Sequence, residues 1–208
     1  MSDTDERRAG SVILKDLALF NKTAVLFEGR IEPAILAAIS ERAGDWLKKG
    51  DWKGQPNITD DLVWVCPTEW KKGDEQSIAK FNFHQRPGVE SASYDVADLC
   101  GVGQTDWGFR FEVEYSWFGG KAAWATLCKG MGGLVDEVVK KGWTSLGKGV
   151  FFRPMKLRAE LLANAWESED WSKALDPLEQ ALDGLVADKD VFDKIIMAAK
   201  PKTELAAD

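Results

Sequence analysis

Residues 107–118 alternate between two kinds of side chain without a break. Trp107, Phe109, Phe111, Val113, Tyr115 and Trp117 alternate with Gly108, Arg110, Glu112, Glu114 and Ser116. A period of two is the pleat of a β-strand, which sends successive side chains to opposite faces. The aromatic and β-branched set requires a core on its side, and the charged set leaves the other side wet. A strand with one wet face belongs to an antiparallel or mixed sheet. Ser77–His84 repeats the pattern, with Ala79, Phe81 and Phe83 on one face and Lys80, Asn82 and His84 on the other.

Helical spacing flanks these strands. Residues 31–48 follow a helical pattern, with Pro33 suited to a first turn and Lys48, Lys49 and Gly50 to its end. Trp124, Leu127, Cys128, Met131, Leu134, Val135 and Val138 recur at intervals of three and four, which predicts a helix over 121–141 despite Gly130, Gly132 and Gly133. Leu62–Cys66 and Val150–Phe152 read as short strands, and so does Ala24–Phe27. Asp51–Asp60 and Arg86–Thr105 read as loops, the latter with a short turn near Tyr94–Leu99. Asp176-Pro177-Leu178-Glu179 has an acid, a proline and a glutamate in the order that starts a helix.

The expected fold is therefore α+β: an antiparallel or mixed sheet of about 4–5 strands, packed by helices and followed by an acidic C-terminal helical segment. The expected division is a disordered N-terminus over 1–10, an α+β core over 11–153, three C-terminal helices within 154–200 packed on that core, and a disordered tail over 201–208. Val12–Phe20 is apolar but too short to assign by period.

Charge is distributed unevenly. The net charge is −7, but residues 1–118 carry 20 acidic and 14 basic side chains, 119–158 carry 2 and 8, and 159–208 carry 12 and 5. Either the basic middle packs beside the acidic end, or an acidic face stays open to steer a basic partner. The acidity argues against direct non-specific binding of nucleic acid, which depends on neutralising phosphates. Residues 1–8 are polar and mixed in charge and no apolar run is of spanning length, so no membrane association and a cytoplasmic location are expected.

Few residues offer chemistry. The single histidine, His84, leaves no supply for a histidine-based triad or a multi-histidine metal site. Cys66, Cys100 and Cys128 are odd in number and far apart, so neither a disulfide framework nor a zinc site is expected. Gly142-Trp143-Thr144-Ser145-Leu146-Gly147-Lys148 matches the start of a phosphate-binding loop, but Gly149 stands where the magnesium-holding hydroxyl belongs. No cofactor is expected. The order helix, three strands, helix, strand over 31–153 is similar to the core order of the PD-(D/E)xK nucleases. That resemblance implies a divalent metal held by acids on core strands, here Glu112 and Glu114, with Asn82 and His84 on the neighbouring strand and no matching lysine.

The ten tryptophans are the remaining signal. Trp64, Trp107, Trp117 and Trp124 fit apolar faces, whereas Trp52, Trp70 and Trp143 fall in segments rich in lysine and glycine. Loop tryptophans are frequent interface anchors, so these three are the expected partner-binding residues. The leading expectation is a non-catalytic protein-binding domain, such as a small acidic inhibitor, immunity-type or phage anti-defence protein that engages a basic surface. The alternatives are the nuclease-like core, active or degenerate, and a carbohydrate or small-ligand binder.

Overall fold

The computed structural model describes residues 3–58, 63–72 and 76–200, so the expected tail at 201–208 lies outside the described residues. In chain order the strands are β1 (Trp52–Gln55), β2 (Trp64–Pro67), β3 (Lys71–Lys72), β4 (Gln76–Ser77), β5 (Ala79–Gln85), β6 (Trp107–Val113), β7 (Thr144–Gly147) and β8 (Val150–Pro154). The helices are α1 (Asp3–Lys15), α2 (Leu17–Leu26), α3 (Glu32–Lys48), α4 (Asp95–Leu99), α5 (Lys121–Lys129), α6 (Gly132–Lys140), α7 (Ala159–Ser168) and α8 (Asp176–Ala199). The α+β fold has a sheet of six strands in the order β1-β2-β5-β6-β8-β7, and every pairing in it is antiparallel. β3 and β4 pair separately.

The alternating residues fix the register. Phe81 pairs with Phe111, Phe83 with Phe109 and Ala79 with Val113, so the apolar sets of β5 and β6 share one face. Phe151 of β8 continues the row beside Phe111. Phe192 of α8 presses onto it: 4.5 Å from the Phe111 ring, 5.1 Å from Phe81 and 5.9 Å from Phe151. Phe81 also meets Trp52, Trp70 and Trp143, all within 6.0 Å. A buried Phe gains about 1.5–3 kcal/mol over an exposed one, so this cluster is a large share of the driving force.

α8 brings its acidic residues to tryptophans that lie far away in sequence. Trp46 of α3 donates its indole N–H to Asp183 (2.8 Å), Trp143 to Asp188 (2.9 Å) and Trp70 to Asp193 (2.7 Å). Glu179 pairs with Arg42 and Lys49 of the α3 end. Asp188 is 5% exposed and also accepts from Arg153 Nη1 at 2.7 Å, with Lys141 Nζ 3.5 Å away. Lys194 meets Glu137 of α6. Lys141 and Arg153 of the basic middle are thus ion-paired with Asp188 of the acidic end.

Several elements differ from the sequence-based expectation. The strand at 107–118 stops at Val113, because Glu114 accepts from Ser116 N–H and starts a 3-10 turn that Gly119 closes at φ +82°. The helix over 121–141 is two helices that meet at Gly130 and Met131, since glycine there favours a break over a continuous turn. Residues 3–10 belong to α1 rather than to a disordered end, with the first-turn acids Asp3, Asp5 and Glu6 favoured by the helix dipole and Arg7 paired to Asp3. Ala24–Leu26 ends α2 instead of forming a strand. The C-terminal segment holds two helices, not three, because α8 runs unbroken from Asp176 to Ala199. β1 and β7 lie in segments expected to be loops, which raises the sheet to six strands.

Asp188 is buried and triply partnered, whereas Asp190 on the same helix is exposed. Asp188→Ala leaves the Arg153 charge and the Trp143 N–H unpaired and is expected to cost about 3–5 kcal/mol, while Asp190→Ala stays within about 0.5 kcal/mol. Urea unfolding of the two variants checks this, and equal losses would contradict the assignment.

Candidate functional site

Trp52, Trp70 and Trp143 lie in the core, at 7%, 3% and 2% exposure. Trp52 packs edge-on against Trp46 at 5.4 Å, and the other two are tied to α8 as described. The partner surface expected of them is therefore corrected: the rings of these lysine- and glycine-rich segments turn inward, where acids of α8 satisfy two of the three indoles. Each of those two buried N–H groups would otherwise cost about 1–3 kcal/mol.

Glu112 and Glu114 are separated by the end of β6. Glu112 accepts from Asn82 Nδ2 and sits 3.0 Å from Arg110 Nε, while Glu114 turns to the Ser116 hydroxyl. Lys80 is directly opposite Glu112 in the register, but its ammonium lies 5.8 Å over the Trp64 ring. His84 stacks on Trp107 with ring centroids 5.7 Å apart. Among the described residues no group of three or more His, Cys, Asp or Glu is placed to hold a metal ion. The observed element order over 31–153 also differs from the one on which the nuclease resemblance rests, because β1, β7 and α4 intervene.

The least satisfied surface is at the N-terminal end. α1 and α2 contain no buried residue. Val12, Leu14, Leu17, Leu19, Phe20 and Val25 are 69, 72, 55, 55, 46 and 62% exposed. The two helices are separated at Asp16, whose carboxylate caps α2 by accepting from Leu19 N–H at 3.2 Å. The arm is anchored at its root, in a π-helical turn over Phe27–Ile31. There Phe27 meets the Tyr94 ring at 4.9 Å, the Tyr94 hydroxyl donates to Glu28, and Arg30 lies 5.8 Å over Trp166. The arm thus carries an exposed apolar surface on a root held by these contacts. Its only signal in the sequence is the apolar run Val12–Phe20, which looks like an ordinary core segment.

No helix among the described residues is long and apolar enough to cross a membrane. No protein-family model, curated protein or solved structure matches the chain.

Cys66 is buried, and Cys100 and Cys128 are half-buried. Burial pushes Cys66 and Cys128 up to about 11, and burial also raises Cys100. At pH 8 a thiol at that value is ionised in about one molecule in a thousand. Ellman's reagent is therefore expected to react slowly with Cys66 and Cys128 in the folded protein and fast after denaturation. Rapid labelling of either thiol in the folded state would contradict their burial.

Proposed function

We propose that this is a non-catalytic protein-binding domain whose contact element is the α1–α2 arm. The observation that carries this reading is a helical segment with six large apolar side chains about half or more exposed and no buried residue. Helices of this kind are taken up by apolar grooves on a partner, where spaced anchors give the affinity. Acidic and basic side chains are evenly mixed along the arm, so the arm supplies apolar contact and not charge. The chain as a whole carries −7, which favours a partner whose groove is bordered by basic residues. An acidic inhibitor or immunity-type protein fits this description, with the tryptophans serving the core and the N-terminal arm serving the contact. The proposed setting is cytoplasmic.

The test uses the full chain and the triple variant Leu14→Asp, Leu17→Asp, Phe20→Asp. The sites are exposed, so the melting behaviour is expected to change by less than about 0.5 kcal/mol per site. Affinity capture from the native host should recover one dominant partner with the wild type, weakened by salt, and lose it with the variant. Three buried apolar anchors at about 1.5–3 kcal/mol each imply a loss of affinity greater than about a thousandfold. Equal retention of that partner by the variant would overturn the reading. So would light scattering that shows a wild-type dimer and a monomeric variant, because the arm would then serve self-association.

A further inference from the structure

The wet face of the sheet carries a second feature that is independent of the arm. A cleft of about 740 Å³ opens over β6, with Arg110 and Glu112 on its floor. One wall is the segment after β5, which includes Arg86, together with Gln104–Asp106. The other is the β7–β8 hairpin, whose turn holds Gly147, Lys148 and Gly149 at φ +83°, +53° and +72°. Tyr115 and Lys121 close one end. The volume is that of a site for a ligand of small-molecule size.

The walls are fixed before any ligand arrives. Asp98 is fully buried, and its carboxylate accepts from Gln104 N–H (2.7 Å), Thr105 N–H (3.1 Å) and Gln85 Nε2 (3.3 Å), which locks the first wall to β5. The hairpin is held from behind by α5, packed so closely that a Cβ on Gly149 would collide with Cys128 Sγ. Preorganised walls lower the ordering cost of binding.

The polar groups of the cleft are under-used. Arg110 Nε lies 3.0 Å from Glu112 Oε1, near enough for an ion pair but off the hydrogen-bonding angle. Arg110 Nε and Thr105 Oγ1 are both buried with no hydrogen-bond partner among the described residues. Asn82 holds the other oxygen of Glu112. At the rim, Arg86, Lys121 and Lys148 pair with no carboxylate among the described residues; Lys121 meets only the Tyr115 ring, at 5.9 Å. Four cations, Arg86, Arg110, Lys121 and Lys148, line the cleft against two carboxylates, Glu112 and Asp106, and Asp106 is already paired with Lys156. The cleft lining therefore carries an excess of positive charge, which favours an anionic ligand.

We propose that this cleft binds a phosphorylated small molecule. Arg110 meets the phosphate from the floor, Arg86, Lys121 and Lys148 surround it from the rim, and Glu112 accepts from a hydroxyl or amine of the same ligand. A guanidinium presents phosphate oxygens with a fixed fork of donors, which a lysine at that position would not do. The discarded phosphate-loop pattern ends at Lys148, and here that lysine contributes as a point charge on a hairpin, not as part of a strand-to-helix loop.

The probes are inorganic pyrophosphate and ADP, titrated calorimetrically into the full-length protein at low ionic strength, with adenosine as the uncharged control and a short oligothymidylate as competitor. The expected result is saturable one-to-one binding of pyrophosphate and ADP, none of adenosine, and a loss of about tenfold or more in Arg110→Gln. Because Arg110 is partly buried, the rim double variant Arg86→Gln, Lys148→Gln provides the same comparison at exposed positions and should also lose about tenfold. Absence of pyrophosphate and ADP binding, or binding unchanged in both variants, would overturn the proposal. Displacement of ADP by oligothymidylate at lower concentration than by pyrophosphate would overturn it too, since the groove would then be one for nucleic acid.

Discussion

Three indole N–H groups, from Trp46, Trp70 and Trp143, end on three aspartates of a single helix. The rest of the core depends on that arrangement. α8 must lie where Phe192 closes the aromatic cluster on β5, β6 and β8, and the aspartates at 183, 188 and 193 fix it there from α3, from the start of the β7 hairpin and from the turn after β2, respectively. A ring-filled core alone would tolerate several positions of a sliding helix. Hydrogen bonds to charged acceptors are directional and about twice as strong as neutral ones, so they select one position. Asp188 adds a buried ion pair to the same site, and losing either member leaves a charge without a partner.

This arrangement also explains the composition. The acidic excess after residue 158 looks like a surface property, yet Glu179, Asp183, Asp188 and Asp193 each bind a group elsewhere in the chain, while Lys141 and Arg153 of the neighbouring elements and Lys189 of α8 itself neutralise part of it. The tryptophans of lysine-rich segments look like surface anchors, yet two of them are the donors to those acids. Part of each feature is thus used inside the folded chain: Asp188 and Asp193 accept from Trp143 and Trp70.

What could be read from the sequence followed from local period. The alternation in 107–113 and 79–84 gives β6 and β5, their apolar face and the sheet they must join. Proline and the basic end of residues 31–48 give α3 almost to the residue. Local period fails where the determinant is distant. The indole acceptors lie 123, 137 and 45 residues from their donors for Trp70, Trp46 and Trp143, so nothing near those rings announces their burial. β1 and β7 are four-residue edge strands that each contain glycine, and they resemble loops until a neighbour supplies their hydrogen bonds. The arm was visible as an apolar run, but exposure is a property of what does not pack on it. The cleft was visible in half: Arg110 and Glu112 share the polar face by alternation, whereas the loop and hairpin that wall them in come from segments without period.

The central claim is that α8 is placed by indole–carboxylate bonds and not by ring packing alone. A double-mutant cycle on Trp143→Phe and Asp188→Asn measures it directly, because phenylalanine keeps an aromatic ring and removes the N–H, and asparagine keeps the shape and removes the charge. The account predicts a coupling energy of about 1.5–3 kcal/mol between the two positions in equilibrium unfolding, the range for hydrogen bonds to charged groups. Additive losses, within about 0.3–0.5 kcal/mol, would contradict it and leave the aspartates of α8 as bystanders to a helix held by its hydrophobic face.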